Sequence, residues 1–145
     1  MTTLTIRKAT QQDLSSIQEL LSASKLPIDG ISPHLQNFLV AEMNGKIIGT
    51  IGLEIYQKTG LLRSAAVMPD LQNKGIGNRL LNMIVDYAKE QGIQELLLLT
   101  TTAQNYFAQK GFVTINRDVV QGNVLSSSEF QDGCPAAAIC MKKML

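Results

Sequence analysis

The sequence contains no tryptophan, a single histidine and two cysteines, and its charges nearly cancel. Thirteen Lys and Arg residues stand against twelve Asp and Glu residues, and the basic ones are scattered along the chain, which argues against nucleic acid as a partner. No apolar run approaches the ~18 residues of a membrane span, so no membrane partner is expected. Because there are only two cysteines and no signal peptide, we expect a soluble protein of the reducing cytoplasm without disulfides.

The chain is 145 residues long and 45% hydrophobic, which is enough for one core. A domain of this size buries roughly 68–70% of the surface that its unfolded chain exposes, and therefore needs no metal or disulfide for stability. No repeat, low-complexity tract or linker divides it. We predict a single domain over residues 1–145, and the ordinary apolar content excludes a disordered chain.

Hydrophobic periodicity and turn residues predict alternating strands and helices. Asn44-Gly45 is a hairpin signal, and a second reversal is expected near residues 58–60. The predicted strands are Leu4–Lys8, Phe38–Met43, Lys46–Tyr56 and residues 61–68, 96–99, 112–115 and 136–141. The predicted helices follow Thr10, surround residues 34–37, and cover residues 76–88 and 103–110. This order predicts an α+β (mixed α/β) fold with a mixed, mostly antiparallel sheet flanked by helices.

The most informative segment, Gln72-Asn73-Lys74-Gly75-Ile76-Gly77-Asn78, lies between a predicted strand and the most regular predicted helix. Glycines let a ligand approach the backbone, and the free N–H groups of a helix's first turn favour an anion such as phosphate. Leu80 stands where a dinucleotide-binding turn has its third glycine, and no Gly-Lys-Ser/Thr follows. A phosphate site and a plain tight turn into a helix are both compatible with this segment alone.

A wider pattern resembles one known family. Val67-Met68-Pro69-Asp70 precedes the Gln72-x-x-Gly75-x-Gly77 turn, and Ala103-x-x-x-Phe107-x-x-x-Gly111-Phe112 follows after a helix and a strand. This succession resembles the GNAT acetyltransferase superfamily, and the resemblance extends from Ile6 to Met141.

Four further segments narrow the resemblance. The strand end Leu99-Thr100-Thr101-Thr102 is similar to the N-acetylglutamate synthase type. Gly52-Leu53-Glu54, Leu61-Leu62-Arg63-Ser64 and Cys134-Pro135-Ala136 resemble acetyltransferases encoded with arsenic-resistance genes.

The resemblance implies an enzyme that transfers an acetyl group from acetyl-CoA to an amine, by direct attack of the amine on the thioester. A small-molecule acceptor is favoured, either an amino acid or a glutamate-like compound that includes an arsenical analogue. A protein or peptide N-acetyltransferase and a non-catalytic acyl-CoA sensor are the alternatives. Homodimers are common in folds of this type, and the apolar terminal strand is a candidate interface.

The resemblance also implies which residues hold acetyl-CoA. The strand ending at Met68 should splay from its neighbour and pair with pantetheine, and an N–H near Val67 would donate to the thioester oxygen. The backbone of residues 73–78 would hold the pyrophosphate. The full set of cofactor-binding candidates is Ala66, Val67, Met68, Gln72, Asn73, Lys74, Gly75, Ile76, Gly77, Asn78 and Phe107.

Few groups are available to protonate the CoA thiolate. In the family, a tyrosine four residues before the Gly-Phe pair often does so, and this position is Phe107 here. Tyr106 lies one residue earlier, ~100° away around a helix, so it does not simply inherit the role. Tyr106 and Thr101 are the catalytic candidates, although threonines at a strand end also satisfy backbone groups. Protonation by solvent is the remaining alternative.

Glu54 is the candidate general base. With a two-residue turn at Lys58-Thr59 it would lie directly opposite Arg63, and a cross-strand ion pair is one interpretation. If the pair borders a cleft, Glu54 could accept the amine's proton through water while Arg63 binds a substrate carboxylate. His34 is expected to have an ordinary surface or packing role.

Cys134 and Cys140 are six residues apart and no histidine accompanies them, whereas zinc sites use closer pairs and four ligands. We therefore predict no metal site and interpret both cysteines as small buried side chains, with binding of trivalent arsenic as the alternative.

Overall fold

A computed structural model of the protein describes residues 3–133 and 138–145. Within these ranges, seven strands form one sheet and three α-helices pack on it. The strands are β1 (Leu4–Lys8), β2 (Phe38–Met43), β3 (Lys46–Tyr56), β4 (Thr59–Val67), β5 (Glu95–Thr100), β6 (Val113–Ile115) and β7 (Ile139–Met144). The helices are α1 (Leu14–Ala23), α2 (Ile76–Glu90) and α3 (Gln104–Gln109).

The sheet has the strand order β1-β2-β3-β4-β5-β7-β6. β4 and β5 are parallel and all other neighbouring strands are antiparallel. The one parallel pair follows from its connection, because helix α2 crosses between β4 and β5. The predicted α+β fold with a mostly antiparallel sheet is confirmed.

Helices cover both faces of the sheet. The buried side chains of α2 recur at helical spacing and join the larger core, as the sequence pattern predicts; they are Ile76, Leu80, Leu81, Ile84 and Ala88. On the other face, Ile17 and Leu21 of α1 pack with Phe38 and Val40 of β2. Each such aliphatic side chain contributes about 1.5–3 kcal/mol through its burial, so these stripes hold the helices on the sheet.

The first hairpin turn is confirmed, and the second lies one residue earlier than predicted. Asn44 and Gly45 both have positive φ, at 54° and 76°. In the second hairpin Tyr56 pairs with Thr59, so the turn is Gln57-Lys58. Gly60 does not serve the turn; it lies inside β4, where a Cβ would approach Leu53 to 2.8 Å.

This shift changes the cross-strand register. Glu54 pairs with Leu61, and Arg63 pairs with Gly52. The expectation that Glu54 lies directly opposite Arg63 is therefore wrong, because it assumed a turn at Lys58-Thr59.

β4 and β5 separate after a short stretch of pairing. They pair only from Thr59 to Leu61 of β4, and β4 then contains a bulge in its pairing with β3. Ser64 lies in this bulge with a φ of 60°, a left-handed conformation that is uncommon for a residue other than glycine. The separation opens a cleft in the middle of the sheet, as the family resemblance implies.

The last strand is Ile139–Met144, three residues beyond the predicted 136–141, and residues 136–137 lie outside the described part. β7 lies between β5 and β6 and pairs with both. It therefore has no open edge along which another chain could extend the sheet.

The segment before β7 contains a 3₁₀ turn, Asn123–Ser126, and a π-helical turn, Glu129–Gly133. Val124 packs with Leu61 and Leu97, so this segment covers the sheet beside α1. Among the helices of the described ranges, none has the length and apolar character that crossing a membrane requires.

Candidate active site

Two adjoining cavities occupy the cleft between β4 and β5. The outer cavity, of about 490 Å³, is lined by the glycine turn, by Ala65–Val67 of β4 and by Tyr106 of α3. The inner cavity, of about 180 Å³, is lined by Arg63, by the threonines at the end of β5 and by Glu129. Six residues line both cavities, namely Leu26, Ile51, Ala65, Thr102, Ala103 and Phe107. A ligand in one cavity can therefore contact a ligand in the other.

The glycine turn lines the outer cavity at the start of α2. Asn73 and Gly75 have positive φ, at 65° and 83°, and α2 begins at the next residue, Ile76. The free N–H groups and the dipole of a helix start both favour an anion. The Gln72 side-chain amide donates to the Val67 carbonyl at 3.0 Å, so this side chain ties the turn to the end of β4.

Most of the predicted cofactor residues line the outer cavity, namely Ala66, Val67, Gln72, Asn73, Gly75, Gly77, Asn78 and Phe107. Met68, Lys74 and Ile76 do not. The side chain of Ile76 is buried in the core, and Met68 packs against that core. Lys74 is exposed. Lys74 and Ile76 belong to the glycine turn through their backbone, and Met68 directly follows β4.

The end of β4 directs one backbone donor into the cleft. The Met68 N–H donates to the Ile48 carbonyl of β3 at 2.8 Å. Because successive N–H groups along a strand point to opposite sides, the Val67 N–H points away from β3, toward the gap left by β5. The Val67 N–H is therefore oriented to donate to the carbonyl oxygen of a ligand that lies in this gap.

Tyr106 connects α3 to the start of α2 across the outer cavity. Its hydroxyl donates to Asn78 Oδ1 at 2.6 Å, and burial raises the pKa of the phenol. The phenol is therefore protonated at neutral pH. Phe107, at the next position, is buried and packs edge-to-face against Phe112.

The three threonines at the end of β5, Thr100 to Thr102, have different surroundings. The Thr100 hydroxyl accepts from the Ala103 backbone N–H at 3.0 Å, so it satisfies the start of α3. Thr101 lines the inner cavity, and Thr102 lines both cavities.

Arg63 lies between two buried carboxylates. Its Nη1 donates to Glu54 Oε2 at 2.8 Å, and its Nη2 lies 3.6 Å from Glu129 Oε2. Nε donates to Ser64 Oγ at 3.0 Å, which links the guanidinium to the β4 bulge. Nη2 also donates to the Pro27 carbonyl at 3.4 Å. This side chain therefore holds three segments of the chain together at one wall of the inner cavity.

Glu54 forms an ion pair and lines neither cavity. Burial acts to raise the pKa of its carboxyl group, but hydrogen bonds from Tyr56, Ser127 and Arg63 outweigh burial, so the pKa is lowered. His34 Nε2 lies 3.7 Å from Glu54 Oε1. The cross-strand ion-pair interpretation thus describes the geometry, and of the two members Arg63 borders the cleft whereas Glu54 does not.

The family comparison agrees with this geometry. Residues 7–112 match the model of the family described as "Acetyltransferase (GNAT) family". The chain belongs to the GNAT family. It is an acetyltransferase, and acetyl-CoA is its acetyl donor. The residues of the outer cavity suit this donor, since the glycine turn offers N–H groups to phosphates.

Individual relatives are consistent with a GNAT assignment. The chain is 34% identical to an amino-acid acetyltransferase of Ralstonia nicotianae, over 74% of this chain and 26% of that protein. It is 28% identical to an uncharacterized N-acetyltransferase of Chlorobaculum tepidum, over 78% of this chain and 77% of that protein.

A solved structure of N-acetylglutamate synthase from Neisseria gonorrhoeae, complexed with coenzyme A and N-acetyl-glutamate, superimposes with a TM-score of 0.83. It is 25% identical, and the match covers 99% of this chain and 35% of the synthase chain. The chain thus spans about a quarter of the Ralstonia protein and about a third of the synthase chain.

Two residues of this GNAT active-site cleft were missed from the sequence. Glu129 lies in a segment without helical or strand periodicity, and Lys25 follows α1 in a loop, yet both line the inner cavity. No local signal distinguishes them from other charged residues. In the described ranges no three His, Cys, Asp or Glu side chains are grouped as metal ligands. Cys140 is buried in β7, and Cys134 lies outside the described residues.

Proposed function

We propose that this GNAT domain N-acetylates a small primary amine of amino-acid size, with acetyl-CoA in the outer cavity and the acceptor in the inner one. The observation that carries the proposal is that the two cavities meet at Ala65, Thr102 and Phe107. An amine in the inner cavity would then reach a thioester in the outer cavity without leaving the protein.

The donor is held by backbone groups in this proposal. The pyrophosphate lies against the N–H groups of residues 73–78, and pantetheine lies along β4 where β5 has separated. The Val67 N–H donates to the thioester oxygen and stabilises the negative charge that develops there, because a pre-oriented donor costs no reorganisation during the reaction.

Tyr106 is the proposed proton donor to the departing CoA thiolate. Its phenol lines the outer cavity, remains protonated and is oriented by Asn78. Thr101 is the second candidate for this step, because it lines the inner cavity beside the junction. Phe107 supplies an apolar wall, since it lacks the hydroxyl that many family members have at this position.

Arg63 is proposed to face the acceptor, and Glu54 to position Arg63. Arg63 lines the inner cavity, and a substrate carboxylate could share its Nη2 with Glu129. Glu54, which lies behind Arg63, acts on the acceptor only through that side chain.

An amino acid or a glutamate-like compound is the proposed acceptor, with an arsenical analogue of glutamate included. The relatives named amino-acid acetyltransferase and the synthase complex with N-acetyl-glutamate support this class. An inner cavity of about 180 Å³ suits a molecule of that size better than a polypeptide. We also propose a cytoplasmic homodimer.

A panel of amino acids and carboxylate-bearing amines, incubated with acetyl-CoA, tests the proposal by release of free CoA thiol. We expect turnover with at least one of them. Acetyl-CoA should also raise the melting temperature, because a ligand at 100 times its dissociation constant adds about 2.7 kcal/mol of stability. Stabilisation without turnover would identify an acyl-CoA sensor, and turnover with peptides alone would identify a protein N-acetyltransferase.

A further inference from the structure

The inner cavity contains a carboxylate that the proposed reaction has not yet used. Glu129 lines this cavity, and its side chain is only 5% exposed. Its backbone N–H donates to Ser127 Oγ at 3.1 Å, and the neighbouring Phe130 packs into the core. The carboxylate is therefore held on an anchored segment rather than on a free loop.

Two buried carboxylates share the guanidinium of Arg63, but their positions differ. Glu54 makes the closer contact, at 2.8 Å, and lies behind Arg63, away from both cavities. Glu129 is 3.6 Å from the guanidinium and is the carboxylate that lines the inner cavity. A ligand in this cavity therefore meets Glu129 and not Glu54.

A protonated amine is the group that the side of the inner cavity formed by Glu129 and Arg63 would bind best. Nε, Nη1 and Nη2 of Arg63 already have partners at 2.8–3.6 Å, so a substrate carboxylate can only share Nη2, whereas an ammonium group needs a carboxylate such as that of Glu129. A carboxylate in a cavity removed from water attracts an ammonium group more strongly than an exposed one does, because the effective dielectric constant is lower. The cavity also joins the outer cavity, which brings such an amine beside the thioester.

We propose that Glu129 binds the ammonium group of the acceptor and removes the proton that prevents its attack, so that the substrate class is a cationic amine. This inference rests on the proposed function. A proton passes from the ammonium nitrogen to Glu129 Oε, and the freed lone pair forms a C–N bond to the acetyl carbon. The C–S bond then breaks, its electron pair remains on the CoA sulfur, and the nitrogen releases its second proton to solvent to give the neutral amide. The thiolate takes a proton from Tyr106, and solvent exchange returns Tyr106 and Glu129 to their starting states.

The test compares the wild-type enzyme with Glu129→Gln, using the best acceptor of the amine panel across pH 6–10. Removing a general base costs about 10²–10⁴-fold in rate, so we expect kcat to fall at least 100-fold at pH 7. The activity of the variant should rise with pH as free amine accumulates in solution. In the described part of the chain, the charged groups near this carboxylate include Arg63 from β4, with Glu54 behind it, and Lys25 at the cavity wall. Glu90→Gln, an exposed carboxylate at the end of α2, is the matched control and should leave activity unchanged.

Acetyl-CoA binding separates this inference from the proposed function. Stabilisation by acetyl-CoA should be the same in the wild type and Glu129→Gln, which also shows that the variant is folded. If kcat stays within threefold of wild type, or if it falls by the same factor at every pH, Glu129 is not the base. If Glu129→Gln does not fold, Glu129→Asp is measured instead. This variant should have a reduced kcat but should keep the decrease in activity at low pH that the wild type shows. Loss of that decrease would overturn the inference. If the wild type neither binds acetyl-CoA nor turns over, the proposed function fails first.

Discussion

Glu54 and Arg63 meet diagonally across the β3–β4 hairpin. Glu54 pairs with Leu61 and Arg63 pairs with Gly52, yet Arg63 Nη1 donates to Glu54 Oε2 at 2.8 Å. Gly52 leaves the strand position opposite Arg63 without a side chain, and the long arginine reaches past it to the next carboxylate. The pair is buried, so its two members depend on each other.

Substituting one member of this pair should destabilise the protein strongly. Arg63→Met leaves Glu54 and Glu129 as buried carboxylates that have lost this cation, and we expect a loss of about 3–5 kcal/mol in the free energy of unfolding. Urea denaturation at pH 7 measures it. Arg79→Met removes an exposed arginine of α2 and should change stability by less than about 0.5 kcal/mol. Equal stability of the two variants would contradict the role of Arg63 as the link between segments.

The Asp13 carboxyl group should make stability depend on acid pH. Arg7 donates to both its oxygens, at 2.7 and 3.0 Å, and the Thr10 N–H donates at 2.7 Å. The hydrogen bond from Arg7 lowers the pKa of Asp13 to about 2. Because the pKa is lower in the folded state, the stabilisation is present above the unfolded pKa of ~3.9 and is lost as pH falls toward 2.

Asp13→Asn should therefore cost about 1–2 kcal/mol at pH 7, and the difference from wild type should shrink between pH 5 and pH 2. Denaturation curves at several pH values measure this difference. The exposed Asp70→Asn variant is the control and should follow the wild type. A difference that is independent of pH would show that the carboxylate charge is not what stabilises the helix start.

Tyr106→Phe tests the proposed proton donor. The variant keeps the ring and loses the hydroxyl that contacts Asn78, so kcat should fall about 10²-fold while the affinity for acetyl-CoA stays within a few fold. Steady-state kinetics and acetyl-CoA titration measure the two quantities. Tyr87→Phe removes a hydroxyl bonded to Asn37 outside both cavities and should leave kcat unchanged. Unchanged kcat in Tyr106→Phe would transfer the role to Thr101 or to solvent.

Gly77→Val tests the glycine turn as the pyrophosphate site. A Cβ at Gly77 comes no closer than 4.0 Å to the protein, so the variant should fold, but its side chain occupies the wall of the outer cavity. We expect acetyl-CoA affinity to fall at least 100-fold by calorimetry. Asn82→Val, on the exposed face of the same helix, is the control. Retained affinity in Gly77→Val would mean that the phosphates bind elsewhere.

Local sequence signals predicted helices and turns correctly where a single feature, such as apolar spacing or a turn dipeptide, decides the structure. The spacing of apolar residues in α2 and the Asn44-Gly45 turn depend on neighbours within a few positions, and both are confirmed. The second turn was misplaced because Gly60 has a different purpose, close packing against Leu53 and Leu96. A glycine in a sequence does not show whether it permits a turn or a close approach.

Most residues of the outer cavity, where acetyl-CoA is proposed to bind, were predicted from one contiguous segment. Most residues of the inner cavity, where the acceptor is proposed to bind, were not. The glycine turn is one segment whose backbone does the binding, so its residue types and order carry the information. The inner cavity combines β4, the loop after α1 and the turn at Glu129, which are separated by 36 or more residues and meet only after folding.

The sequence by itself determined the family, the element order, and the anion-binding turn, because each depends on local pattern and residue type. Only the tertiary structure decided which carboxylate faces the acceptor. The one-residue position of a hairpin turn places Glu54 diagonal to Arg63, where it forms an ion pair behind the guanidinium, and the folding of a segment without periodicity brings Glu129 to the cavity. Register and long-range packing control these contacts, and neither is readable from a short stretch of chain.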